Sequence, residues 1–339
     1  MSRHQRTNAR VVDLVGALGP GPWSTHQLIE HGWSGAQIRQ AVVAGRLVRP
    51  HRGVVALPSA PDDPAWFLVR VRAALLRAGQ GAVVSHTTAA RLHGLWLPAR
   101  IDRLIHLTRP GEPDRRDHGV RIHGSGLPSD QTAVVDGIAV TSMTRSAVDT
   151  ARGRMLRDAL VVLDSAARCA VLDADPGGRR LRESTSWRIE ATDLGRRSLA
   201  AVLAHQNAWP GTVVVRDAVG YLDAASESPL ESWSRGLMIE SRLPLPAVAY
   251  AVRGASGRIY YADFAWPSRR VLGEADGRAK YGLSGVDVTR ALRAERGRQR
   301  DLEEAGWTVV RWDSTESAQA VTRRIAAVLA THPIRTSLT

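Results

Sequence analysis

Residues 258–277 read RIYYADFAWPSRRVLGEADG, and this stretch decides how the C-terminal third of the chain folds. An aromatic- and alanine-rich run precedes the turn formers Pro267 and Ser268, and a second apolar run follows, which is the signature of paired strands. Side chains alternate faces along a strand, so Tyr261, Asp263 and Ala265 share one side, and Glu274 and Asp276 also share a side. Folding the chain about Ser268 sets Asp263 nearly opposite Gly273–Glu274. Three carboxylates thus converge at one end of a hairpin whose neighbours Phe264, Trp266, Val271 and Leu272 are apolar. Carboxylates placed together repel and are expensive to bury, and a hard divalent cation relieves both penalties. Oxygen ligands suit Mg2+ or Mn2+, and such an ion activates bound water and stabilises charge on a scissile phosphate. The bland alternative is that all three are turn residues, Asp276-Gly277 being a common turn dipeptide.

Working outward, residues 247–253 (AVAYAVR) and the turn at 254–257 add a strand before the hairpin. Ser228-Pro229 opens a helix that runs to about Ser241 and carries Glu231. Downstream, a helix over about 286–305 closes at Gly306, and WTVVRW (307–312) supplies the last strand. The motifs ESPLES (227–232), YADFAW (261–266), GEADGRAKYG (273–282) and RQRDLEEAGWTVVRW (298–312) resemble the very-short-patch-repair-like branch of the PD-(D/E)XK nucleases. That resemblance implies a restriction-endonuclease-like mixed sheet flanked by helices over 223–339, hydrolysing DNA phosphodiester bonds in defence or repair. It gives Glu231 the place of the helix acid, Asp263 that of the strand Asp and Glu274 that of the Glu, the three metal ligands. Asp276 stands where the family pattern has Lys, which leaves the general base or phosphate clamp open. Lys280, the only lysine among 46 basic residues, is either its replacement or an ordinary surface lysine. Arg298, Gln299 and Arg300 either reach DNA phosphate or form a solvated face.

The N-terminal 58 residues read as helix, turn, helix and hairpin. Apolar residues 11–18 end at Gly19-Pro20-Gly21-Pro22; Ser24 caps a helix over 25–30, and Ser34 caps another over 36–44 that stops at Gly45. Strand-like pieces at 47–49 and 54–57 flank the basic turn 50–53. This is the order of a winged helix-turn-helix. Gln37, Arg39 and Gln40 point away from the apolar face, on what would be the groove-reading helix, while Arg49, His51 and Arg52 lie in the wing near phosphate. A small helical domain that only packs on its neighbours has the same pattern. STHQLIEHGWSGAQIRQAVVAGRLVRPHRGVVAL (24–57), VVSHTTAARLHGLWLP (83–98), LIHLTRPG (104–111), HGVRIHGSGLP (118–128) and GIAVTSMTRSAVDTAR (137–152) resemble abortive-infection antitoxins of the AbiEi type. The resemblance implies a DNA-binding regulator beside a cognate toxin or defence partner, so a type IV antitoxin-like transcriptional regulator with an inactive nuclease-like end is the alternative function.

The fold expectation is therefore an α/β multidomain chain: winged helix 1–58, antitoxin-like α/β domain 59–175, helical connector 176–222, and nuclease-like domain 223–339. A net charge of +13 favours a polyanionic partner, although an arginine-biased coding genome yields the same excess. No apolar run approaches the roughly 18–20 residues of a membrane helix, and no secretion signal follows residues 1–10, so a cytoplasmic protein with no membrane partner is expected. Cys169 is the only cysteine, which excludes disulfides and cysteine-based zinc, and it reads as a small buried hydrophobe. His86, His93, His106, His118 and His123 lack any His-x-x-x-His or Glu-x-x-His spacing and read as structural or surface histidines rather than a metal site.

Overall fold

The computed structural model describes residues 3–60, 63–174, 184–206, 208–277 and 285–334. Among these lie twelve α-helices and thirteen strands in three sheets, a mixed α/β architecture. The chain forms two compact units, residues 1–93 with 101–146, and residues 94–100 with 147–339. The expected breaks at 58/59, 175/176 and 222/223 each fall inside one of these units.

The first unit opens with α1 (Arg3–Leu18), β1 (Trp23–Ser24), α2 (Thr25–Glu30), α3 (Gly35–Val43), β2 (Val48–His51) and β3 (Val54–Ala56). Both short helices are encoded locally. Ser24 and Ser34 cap them, and Gln27 and Gln37 reach back to the cap backbone, each cap contributing about 1 kcal/mol. Leu28, Ile38 and Ala41 bury the inner faces against Trp23, Trp33, Leu47 and Val55. The three strands pair antiparallel in the order β1-β3-β2.

Helix α4 (Pro64–Ala78) packs on that small sheet and on a second one. The second comprises β4 (Val83–Val84), β5 (Ile105–Thr108), β6 (Arg115–Asp117), β7 (Val120–His123), β8 (Thr132–Val135) and β9 (Ile138–Thr141), with α5 (His86–Leu92) following β4. Its order is β6-β7-β5-β4-β9-β8, with β5 parallel to β7 and β4 parallel to β9. Ile105, Leu107, Val120 and Ile122 enter one core with Val71 and Ala74 of α4. By alternation His106, Thr108 and His123 belong to the opposite face.

Helix α6 (Met143–Ala151) spans the division between the units, and the second unit continues with α7 (Leu156–Ala174), α8 (Thr185–Ala204), α9 (Thr212–Gly220) and α10 (Pro229–Glu240). Helices α7 and α10 approach closely where α10 carries Gly236. A Cβ there would stand 2.3 Å from Arg157 Cα, so only glycine allows the contact. Gly236→Ala is expected to lower stability by at least about 1–3 kcal/mol through overpacking, read from urea midpoints; an unchanged midpoint would refute the close approach.

The third sheet comprises β10 (Ala247–Arg253), β11 (Ile259–Trp266), β12 (Val271–Asp276) and β13 (Thr308–Asp313), in that order. The first three pair antiparallel, and β13 joins parallel to β12 after the crossover helix α11 (Gly285–Glu304), as parallel pairing demands. One face packs Phe264, Val271, Val310 and Trp312 against α10 and against Ile325 of α12 (Ala318–Thr331). The other packs Ala265 and Leu272 against Leu302 of α11 and Trp307. The hairpin expected from residues 258–277 is present, within a mixed sheet flanked by helices. Cys169 is half-buried on α7 rather than fully enclosed. Among the described residues no helix is long and apolar enough to cross a membrane.

Candidate functional site

The pairs Phe264↔Gly273, Ala265↔Leu272 and Trp266↔Val271 carry Asp263 opposite Glu274, where that ladder ends. On its other side the β10–β11 ladder breaks at Ala249, whose φ is +50°, between Val248↔Phe264 and Tyr250↔Ala262. Asp263 occupies this irregularity, and its Oδ2 accepts the Ala275 N–H at 2.9 Å in place of a ladder bond.

Glu274 is 4% exposed, and its Oε1 accepts from Arg298 Nη2 at 2.6 Å. The same Nη2 donates to the Tyr261 carbonyl at 2.8 Å. Glu231, also buried, closes the N-terminus of α10. Its Oε1 accepts from Ser228 Oγ and its Oε2 from the Glu227 N–H, each at 2.8 Å. Burial, then the neighbouring charge of Asp263, pushes the Glu274 carboxyl up to about 8. The same two causes push Glu231 up to about 7. Asp263 is therefore the charge that both buried glutamates feel, and the three acids form one electrostatic site.

The acids do not close to the spacing of a single cation. Among the described residues, the group whose ligand atoms all lie within 4.8 Å of one another is His86, His106 and His123, not the carboxylates. Glu231 is tied to its helix cap and Glu274 to Arg298, which holds them apart. Asp276 lies on the same side of β12 as Glu274, and both feel the Arg311 charge. It pairs with Arg311 at 3.2 Å, and Arg311 also bridges to Glu295. Arg311 is the register partner of Glu274, and the pattern of WTVVRW marks it only as a strand residue. Lys280 lies outside the described residues. Arg298 points inward onto Glu274 rather than out toward phosphate, whereas Arg300 is exposed.

In the first unit, Arg39 and Gln40 are exposed on α3 beside Val43, which is 88% exposed, and Arg49 and Arg52 are exposed on the β2–β3 hairpin. One expectation is corrected, and another residue gains a second role. His51 is buried, with Nδ1 and Nε2 each 3.2 Å from the carbonyls of His118 and Arg70, so it anchors the hairpin instead of meeting phosphate. Gln37 spends its side-chain oxygen on the Ser34 N–H at 2.8 Å, completing the α3 cap.

The same unit gathers the three histidines that spacing gave no reason to connect. His106 Nδ1 lies 3.0 Å from His123 Nε2, and His106 Nε2 lies 2.9 Å from Asp102 Oδ1. The His86 ring stacks on His123 with centroids 3.7 Å apart. Burial, followed by the nearby His86 and His106, pushes His123 down to about 3. The available signal was the strand alternation of IHLT and VRIH, which turns both histidines away from the apolar core.

No family model matches the chain. The uncharacterized protein Rv2248 of Mycobacterium tuberculosis (strain ATCC 25618 / H37Rv) is 30% identical over 277 residues, covering 81% of this chain and 88% of the relative. The uncharacterized protein MT2308 of strain CDC 1551 / Oshkosh matches to the same extent. Among solved structures, the RV2827C protein from Mycobacterium tuberculosis is 17% identical, with a TM-score of 0.42 over 73% of this chain and 88% of that one. Over four fifths of its length, then, the chain belongs to the family of Rv2248.

Proposed function

We propose that the carboxylate cluster of the third sheet is a metal-dependent DNA phosphodiesterase site of the PD-(D/E)XK kind, in a protein whose α2–α3–β2–β3 segment is a DNA-binding winged helix. The observation that carries the reading is Asp263, set at a break in the β-ladder beside two buried glutamates whose carboxyls are pushed up by burial and then by its charge. Buried acids that repel one another fit a divalent cation, which relieves both the repulsion and the cost of burial. Asp263 and Glu274 would hold Mg2+ or Mn2+, with Glu231 alongside. The bound ion supplies an activated water and neutralises charge on the phosphate. Arg298 and Arg311 set positive charge beside the acids, where an incoming phosphate would otherwise be repelled. Glu231, closing the α10 cap, would add its carboxylate beside the charge of Asp263. Plasmid nicking by the full chain with Mg2+, with and without EDTA, beside Asp263→Asn tests the reading.

A second reading has its own support. The Arg298–Glu274 pair and the Glu231 cap already satisfy two of the acids, as expected of an inactive scaffold in a type IV antitoxin-like regulator that pairs with a cognate toxin. Both readings require DNA contact through Arg39, Gln40, Arg49 and Arg52. Arg49→Ala/Arg52→Ala is expected to weaken DNA binding in gel shifts and to lower the log–log salt slope by about 2. Unchanged, salt-insensitive binding would remove the winged-helix assignment.

A further inference from the structure

We infer that His86, His106 and His123 form a binding site for a d-block divalent cation, Zn2+ before others, with Asp102 orienting His106 from behind. The inference concerns the first unit and does not depend on the nuclease reading. The three imidazoles come from different elements: His86 from the first residue of α5, His106 from β5, and His123 from the end of β7. Their ligand nitrogens lie within 4.8 Å of one another. His106 Nδ1 and His123 Nε2 are 3.0 Å apart, close to the about 3.3 Å that two nitrogens adopt in a tetrahedron with Zn–N of about 2.0–2.1 Å.

Which nitrogen each ring offers follows from its other contact. His106 Nε2 faces the Asp102 carboxylate at 2.9 Å, so the Nε2–H donates there and Nδ1 carries the lone pair. That is the outer-shell arrangement in which a carboxylate fixes the tautomer of a ligating histidine. His86 Nδ1 lies 3.0 Å from Ser85 Oγ, which assigns Nε2 to the cluster. Ser85 stands at the N-cap of α5 yet makes no side-chain cap bond, so the hydroxyl serves the histidine rather than the helix.

Two further observations point to the same place. His86 holds a φ of +51°, a conformation that costs a side-chain-bearing residue free energy and is kept where the position of the ring matters. Thr108, fully buried and the register partner of His123, has a hydroxyl with no hydrogen-bond partner. Three imidazole ligands leave a fourth coordination position, in the manner of zinc sites that keep a water. Hard Mg2+ is excluded as the occupant, because a site of nitrogens alone suits borderline ions.

The test uses the full chain without a polyhistidine tag, carrying Asp263→Asn and Glu274→Gln so that the carboxylate cluster does not compete. After incubation with Zn2+ and dialysis, elemental analysis is expected to find one Zn2+ per chain. Co2+ in its place is expected to give the intense visible bands of tetrahedral coordination. Asp102→Asn is expected to weaken Zn2+ binding about 10–100-fold, and His86→Asn and His123→Asn to weaken it more. His86→Asn keeps a residue that tolerates positive φ on a half-buried ring position, so circular dichroism is expected to show it folded. Zn2+ retention equal in His86→Asn and its parent, a weak octahedral Co2+ spectrum, or no retained metal in the parent would each overturn the site.

Discussion

Asp263→Asn is expected to lower Mg2+-dependent plasmid nicking by about 10²–10⁴-fold, since an ion held there contributes several kcal/mol of transition-state stabilisation and each 1.36 kcal/mol is tenfold in rate. Glu274→Gln is expected to do the same. Asp276→Asn is the discriminating control. Its carboxylate is held by Arg311 at 3.2 Å, so the rate should change by less than about tenfold if Asp263 and Glu274 carry the chemistry. Equal cleavage by wild type and Asp263→Asn would end the enzymatic reading, and absence of cleavage by wild type with either Mg2+ or Mn2+ would leave the regulator reading. The same acids impose a pH signature. Glu231 and Glu274 titrate higher in the folded chain than the ordinary 4.5, so the folded state holds their protons more tightly. Their effect on stability is therefore absent below about pH 4.5 and grows unfavourable as pH rises through 7 and 8. Glu274→Gln should flatten that decline in urea titrations. A slope unchanged from wild type would show that Glu274 is not the titrating group.

Arg235→Met is expected to destabilise the second unit by about 3–5 kcal/mol, the largest structural effect foreseen here. Arg235 on α10 pairs with Asp164 on α7, and Arg235 also donates to the Tyr221 carbonyl. Asp164 is completely buried, and its remaining support includes the Asp223 N–H at 3.0 Å. Burial already pushes the Asp164 carboxyl up, with Arg235 opposing the shift. Without the guanidinium it rises further, so the folded variant takes up a proton more readily than the unfolded chain. The deficit should accordingly be largest at neutral pH and shrink as pH falls toward the raised value. Asp164→Leu/Arg235→Met should recover most of the loss, because removing both charges leaves neither uncompensated. Urea denaturation at two pH values measures both effects; a loss under about 1 kcal/mol would show that the pair is not the lock between α7 and α10.

What could be read directly from the residues is what short-range chemistry controls. Ser24, Ser34 and Ser228 act on backbone groups three residues away, so the starts of α2, α3 and α10 were visible. The turn at Pro267-Ser268 determines strand register, so Asp263 opposite Glu274 was visible too. Gln37 belongs to two such patterns at once, a capping box and an outward helix face, and the cap takes its side-chain oxygen.

The sequence by itself therefore determined the helices and hairpin of the first 58 residues, the α10 helix, the β11–β12 hairpin and the meeting of Asp263 with Glu274. Tertiary structure alone decided that His51 turns inward, that Arg298 rather than a third carboxylate meets Glu274, and that His86, His106 and His123 stand together. The reason is physical: these contacts depend on parallel pairing and helix packing between segments many residues apart. No turn or cap encodes such contacts, since long-range pairing is selected by the burial of whole faces and not by any local run of residues.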